Sequence, residues 1–374
     1  MDVEDRTQSQ PTQPVKGRGS VSNSQSRYIQ TRSVGADDGW ASEDPNTLEN
    51  GKLKTELFLD RTVNLITRNQ SPDIPFAHSI NPYKGCEHGC IYCFARPTHA
   101  YLDLSPGRDF ETKIFRKVDA RQHLLIEMSR PNYVCSPIAM GTNTDPYQPF
   151  ERTQRVTREI LETLLELRHP VTIVTKSKLI LRDLDLLTEL ARDNLISVNV
   201  SVTTLSNDLK TKLEPRTSGP AARLRTIAEL KSHNIPVGAM LAPIIPFIND
   251  HEIEDLVEQC AQAGARELRY ILVRLPLEVA PLFEEWLQAH YPGKAKRVLS
   301  AIRDTRGGEL YKSEWGKRMV GEGEIAQLIR SRFKKAARAH NVYEPAPMEL
   351  NTSIFKRPPR AQAKKVDHNQ LSLF

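Results

Sequence analysis

Between about residue 75 and residue 275, short apolar runs alternate with stretches of helical periodicity, and this alternation narrows the possible folds most. Ile80–Tyr83, Val134–Met140, Val171–Thr175, Ile196–Val202, Val237–Leu241 and Leu268–Val273 read as strands. Ala120–Ser129, Arg152–Arg168, Lys178–Arg192, Pro220–His233 and Asp250–Ala263 read as the helices between them. Strand–helix–strand units of this kind are right-handed and build a parallel sheet, so the class is α/β. After Pro276 the pattern turns helical at Leu282–Ala289, Lys294–Arg303 and Ile325–Ala339, with glycines breaking it between residues 307 and 323. Residues 276–344 therefore read as a helical extension covering one end of the core domain, residues 53–275. Residues 1–52 are polar and expected to be mostly disordered, and 345–374 a flexible, basic, proline-bearing tail.

Three cysteines, Cys86, Cys90 and Cys93, share one loop with the spacing C-x3-C-x2-C. Thiolates this close can hold one metal centre, and three of them leave a coordination position open, which separates a reactive site from a structural one. No second Cys pair stands elsewhere to close a zinc site, since Cys135 and Cys260 are single and distant. A zinc knuckle with His88 as fourth ligand is the alternative, but a donor two residues after Cys86 is cramped for tetrahedral closure. The spacing favours a cubane iron–sulfur cluster with one iron open.

The Cx3Cx-aromatic-C pattern after Ser79–Tyr83 resembles the signature of the radical S-adenosylmethionine (SAM) superfamily. The longer wording, Asn81 to Leu102 followed by Ser105 to Glu111, resembles its spore photoproduct lyase-like branch, within that a bacterial subgroup. The likeness runs from Gly17-Arg18-Gly19 to about Val342, and the stretch Gly17–Tyr28 is expected to dock on the core. The resemblance implies a partial (β/α)6 TIM-like barrel with its chemistry at the carboxyl ends of the strands. It implies a [4Fe–4S] cluster on Cys86, Cys90 and Cys93, SAM bound to the open iron, and an electron donor such as flavodoxin or ferredoxin. Reductive cleavage of SAM would then start radical chemistry.

Site residues carry over one by one. Thr144 and Asp145, after the second strand, match a Ser/Thr-Asp pair near the cofactor's amino group, although a Gly-Asn-Asp-Pro cluster is first of all a turn. Lys176 ends the third strand and Ser201 lies near the end of the fourth, matching residues that contact the cofactor carboxylate. Tyr92, the aromatic of the signature, belongs with them. Ala242–Pro246 resembles an apolar wall for adenine, or is simple core packing. Arg216 is open between a carboxylate, a phosphate and an ordinary ion pair. The branch's lyases carry a hydrogen-donating cysteine at the end of the second strand, where this chain has Asn143. Their own reaction is therefore not expected here. Cys260 falls in phase with Ile253, Leu256 and Val257 and reads as a buried hydrophobe.

Net charge is +6, but Lys356, Arg357, Arg360, Lys364 and Lys365 against Asp367 supply four of those charges, so the body is nearly balanced. Arg330, Arg332, Lys334, Lys335 and Arg338 cluster on the last helix, as a solvated face or a phosphate contact. The final residues, Gln370, Leu371, Leu373 and Phe374 around Ser372, resemble the peptide by which bacterial DNA polymerases and repair proteins dock on the sliding clamp. That points to DNA, or a lesion in it, as substrate. The alternatives are radical chemistry on RNA, protein or a small molecule, and a non-catalytic metal-stabilised module acting by clamp binding. No apolar h-region is apparent, and the longest apolar stretch, Ile235 to Ile248, is too short and proline-rich to span a bilayer. A reduced cytoplasm is the expected location.

Overall fold

The computed structural model describes residues 14–29, 53–343 and 349–359. Six parallel strands form its centre: β1 (His78–Ile80), β2 (Ile138–Met140), β3 (Val171–Thr175), β4 (Ile196–Ser201), β5 (Val237–Ile244) and β6 (Leu268–Leu272). They lie side by side in sequence order, with the short strand Thr67–Arg68 antiparallel on the outer edge of β1. Met140 pairs with Ile80 on one side and Ile173 on the other, and Ile173 pairs in turn with Val198. All four are fully buried, as expected of parallel strands covered on both faces. Among the described residues β1 and β6 do not pair, so the sheet is an open arc and not a closed barrel.

Helices α1 (Ala120–Met128), α2 (Val156–Glu166), α3 (Leu184–Arg192), α4 (Asn207–Leu213), α5 (Pro220–Ser232) and α6 (Ile253–Gln262) connect the strands. Their apolar stripes meet the sheet in one core: Leu124, Ile160, Leu164, Leu187, Leu190, Ile227, Leu256 and Cys260 are all fully buried. A smaller sheet joins Glu56–Asp60 in parallel and Tyr83–Lys84 antiparallel to Lys113–Lys117.

After β6 come α7 (Val279–His290), α8 (Ala295–Asp304) and α9 (Gly323–Ala339). The first two bury Leu282, Phe283, Trp286, Val298 and Ile302 in a second core together with Cys90, Ile91, Tyr92 and Ile245. They cover the end of the sheet that carries the cysteine loop. The last helix behaves differently: its Ala326, Ile329, Phe333 and Ala337 join the main core beside α6. It closes the outside of β6 as the barrel's last helix instead of extending the cap.

Residues 349–359 depart from the expectation of a flexible tail. Phe355 packs its ring edge-on against His169 at 5.2 Å, Arg357 donates to the carbonyls of Arg130 and Tyr133, and the Lys356 N–H bonds the Leu167 carbonyl at 2.8 Å. Proline-rich composition there signals extended backbone, and one aromatic in a ready pocket is enough to fix it. The clamp-like peptide 370–374 lies outside the described residues, as do most of 1–52. Within the described residues no helix is long and apolar enough to cross a membrane.

Candidate metal centre and its surroundings

The cysteine loop runs from the end of Tyr83–Lys84 to a 3-10 turn at Arg96–Leu102. Gly85 and Gly89 hold φ of +76° and +66°, the left-handed region that a side chain disfavours. The Cys86 N–H bonds Phe110 at 2.8 Å and the Cys93 N–H returns to the Cys90 carbonyl at 3.2 Å, so the loop folds tightly on itself. All three thiols are free. Cys86 and Cys90 are buried, while Cys93 is half-buried and marks the open side. Burial pushes the Cys86 and Cys90 thiols up; Asp145 adds to this at Cys86 and Glu214 at Cys90.

Among the described residues no three His, Cys, Asp or Glu side chains gather closely enough for one metal ion. A cubane does not need such convergence, since it spreads three thiolates over three irons. His88 is turned away for another purpose, with Nδ1 3.3 Å from Asp145 Oδ2 but not aligned for a hydrogen bond. The donor set, three thiols of one loop with one side open, fits a cubane with an exchangeable position.

Beneath the loop lies a buried pair that the sequence did not announce. Arg96, fully buried, donates Nε to the Cys90 carbonyl at 2.9 Å, one terminal nitrogen to the carbonyls of Pro106 and Gly107, and the other to Glu111 at 2.5 Å. Glu111, equally buried, also accepts the backbone N–H groups of Gly19 at 3.0 Å and Ser20 at 2.9 Å. Residues 14–29 thus lie as a strap across the back of the loop. Further along it, Asn23 exchanges bonds with Asp109, Ser26 bonds the Ala100 carbonyl, and Arg27 pairs with Glu278 while stacking on Tyr28 and Tyr101.

The loop after β2 grips the cysteine loop from the front. Gln148 accepts the Glu87 N–H at 2.9 Å and donates to the Gly85 carbonyl at 3.2 Å, and the Thr144 hydroxyl donates to the Tyr83 carbonyl at 2.8 Å. Asp145 Oδ1 accepts from Tyr147 N and Thr175 Oγ1, and Oδ2 from Lys176 N at 2.7 Å. Burial alone would raise the Asp145 carboxyl, but His88 and these donors hold it at about 2. Three bonds occupy a carboxylate with room for about four, leaving a place on Oδ2.

At the ends of β3 and β4 the charges alternate. Lys176 sets its ammonium 5.9 Å from the Tyr92 ring centroid and lowers the titration of both Cys90 and Glu214. Tyr92 donates to Glu214, which also accepts Thr203 Oγ1 at 2.7 Å and pairs with the buried Arg223. Arg223 in turn bonds the Ser201 carbonyl at 3.0 Å. Burial opposes ionisation of Glu214, yet Arg223 and Lys176 bring it to about 2. Arg216 resolves its open reading by pairing with Glu87 at 3.0 Å.

Cys86, Cys90, Cys93, Tyr92, Thr144, Asp145, Lys176 and Ser201 therefore meet at one end of the sheet. Ile244 and Ile245 are fully buried, with Ile245 in the core that holds Tyr92. Arg274, just past β6, lies over the half-exposed Phe94 ring at 4.4 Å, beside Cys93. Cys135 precedes β2 and sits at the opposite end, and Cys260 is fully buried in α6. The basic cluster of α9 is also remote, with Arg332 committed to Glu254 and Arg338 stacked on Tyr343.

Residues 80–260 match the family model described as the radical SAM superfamily. An uncharacterised protein of Mycobacterium tuberculosis and one of Mycobacterium bovis are each 34% identical over 283 residues, spanning 75% of this chain and 80% of theirs. An uncharacterised protein of Methanocaldococcus jannaschii is 26% identical over 213 residues, 57% of this chain and 76% of that protein. Spore photoproduct lyase complexed with dinucleoside spore photoproduct superposes with a TM-score of 0.56 over 80% of this chain and 87% of that one. At 16% identity that likeness concerns the fold alone.

Proposed function

The chain belongs to the radical SAM superfamily, and we propose that Cys86, Cys90 and Cys93 are the thiolates that hold its [4Fe–4S] cluster. It is a radical SAM enzyme whose cofactors are that cluster and SAM. When bound, the cluster supplies the electron that cleaves the SAM sulfonium and releases a 5′-deoxyadenosyl radical. The chain's own residues bind and orient. Lys176 and Ser201 take the SAM carboxylate, the lysine by charge. The remaining lone pair of Asp145 Oδ2 takes the amino group, on a loop held by Thr144. Tyr92 and Ile245 form the apolar side of the pocket, and Glu214 with Arg223 keeps Tyr92 fixed without a net buried charge. The loop's donor set, three free thiols with only Cys93 half-open, carries this reading. Anaerobically reconstituted, reduced protein should form 5′-deoxyadenosine from SAM; no product from protein with a verified cluster would overturn it.

For the substrate we propose DNA or a lesion in it. Support comes from the clamp-like peptide at residues 370–374, and from two partly exposed aromatic–arginine pairs, Phe94 with Arg274 and Tyr101 with Arg27, whose guanidinium groups suit a phosphate backbone. The fold is shared with a lyase whose bound ligand is a dinucleoside photoproduct. Asn143 carries no sulfur-bound hydrogen, so the proposed chemistry differs from that lyase's own. The protein would draw its electron from a flavodoxin or ferredoxin in a reducing cytoplasm. Removing residues 370–374 should abolish binding to a bacterial sliding clamp in calorimetry; unchanged binding would remove the clamp from this reading.

A further inference from the structure

The N-terminal strap reaches the cysteine loop through contacts that leave no slack. A Cβ added to Gly19 would sit 1.8 Å from the Gly89 carbonyl oxygen and 3.3 Å from the Ile91 nitrogen, between two of the three cysteines' neighbours. The Gly19 and Ser20 N–H groups end on Glu111, whose other partner, Arg96, ends on the Cys90 carbonyl. A Cβ on Gly89 would in turn lie 2.8 Å from Glu111. Arg18 pins the strap by donating to the Glu111 carbonyl at 2.8 Å and to the Leu53 carbonyl at 2.7 Å. Arg18, Gly19, Ser20 and Val21 are all buried.

We propose that residues 18–21 are positioning residues for the cluster: they lock the cysteine loop from behind and set how firmly it retains iron. The proposal rests on the reading that the three cysteines hold the cluster. With the strap in place, the loop cannot swing away from α4 and the Arg96 anchor, which is the movement that would release Cys90. With the strap displaced, Glu111 loses two N–H donors and gains water, and its grip on Arg96 weakens.

The test is iron release to a chelator from the anaerobically reconstituted full chain, with the electron paramagnetic resonance spectrum of the reduced cluster alongside. Gly19→Val should speed release about tenfold or more, the factor that losing roughly one or two such buried bonds implies, and broaden the spectrum. Cys135→Ser, at the opposite end of the sheet from the strap, should release iron at the wild-type rate. Should Gly19→Val fail to fold, Arg18→Gln brings no clash, removes the pin and should show the same acceleration. Wild-type release and an unchanged spectrum in the folded Gly19→Val protein, or in Arg18→Gln, would overturn the proposal. Wild-type protein that takes up no iron would instead overturn the parent reading, and this one with it.

Discussion

The Tyr92 hydroxyl donates to the carboxylate of Glu214, 122 residues away in sequence, and so ties the cysteine loop to the end of α4. The same carboxylate is held by Thr203 and Arg223, which makes the four side chains one buried unit. Glu214→Ala leaves Arg223 charged and unpaired and should cost about 3–5 kcal/mol in denaturant unfolding. Tyr92→Phe removes one of several bonds and should cost only about 1 kcal/mol. Equal losses in the two variants would mean that the unit does not act as described.

The Gln148 side chain directs both of its bonds to the cysteine loop. Gln148→Ala strips the Glu87 N–H and the Gly85 carbonyl of partners in a buried place. A loss of about 2 kcal/mol in urea unfolding is expected, with lower iron uptake on reconstitution. Full stability would show that water replaces the amide.

The five cysteines separate into two sets by position. Cys86→Ser, Cys90→Ser and Cys93→Ser should each fail to retain iron. Cys260→Ser should keep iron but lose about 1–3 kcal/mol, because a hydroxyl replaces a buried thiol whose titration burial already pushes to about 12. Cys135→Ser should change neither. Metal analysis together with thermal unfolding checks all five.

His169 gives the fold a sensitivity to acid. Its Nδ1 faces the Pro170 carbonyl and so carries the proton, while Nε2 accepts from the Tyr133 hydroxyl at 2.8 Å. Burial, with His78 nearby, lowers its titration from 6.5 to about 4. Between those values the unfolded chain takes a proton that the folded protein refuses. The contribution is therefore fully present above pH 6.5 and is lost as pH falls toward 4, up to about 3 kcal/mol. Urea midpoints followed over that range should fall with acid, and His169→Gln should flatten the slope. His99, also held at about 4 by burial, keeps part of it. Parallel slopes would refute the assignment.

Five of the six central strands were legible in the sequence because each carries a cluster of β-branched or other apolar residues, whereas β1, His-Ser-Ile, was expected two residues late, at Ile80–Tyr83. The largest overextension was Val134–Met140: Pro137 offers no N–H to a ladder, and pairing starts at Ile138, while Val237–Leu241 was drawn short of the observed end at Ile244. The small sheet was not legible, since Glu56–Asp60 and Lys113–Lys117 mix charge with short apolar stretches and owe their form to each other. At the candidate site, motif wording and strand ends pointed to the thiols, Tyr92, Asp145, Lys176 and Ser201, which the fold brings to one end of the sheet. Neither signal pointed to Arg96, Glu111, Gln148, Glu214 or Arg223. A lone charged residue reads as solvent-exposed, and nothing local says that Glu111 will meet Arg96 on one side and Gly19 on the other.

The excursion that contains α7 and α8 leaves the barrel after β6 and returns to it at α9, its two ends joined where the Leu272 N–H bonds the Met319 carbonyl at 2.9 Å. The joint does not make the excursion independent, because its inner face packs Leu282, Phe283, Trp286 and Val298 against Cys90, Ile91, Tyr92 and Ile245. Divergence among relatives is therefore channelled to its outer face, while the inner face has to change together with the cysteine loop it covers. For engineering, the two faces call for opposite treatment: the outer one for substitution, the inner one for preservation.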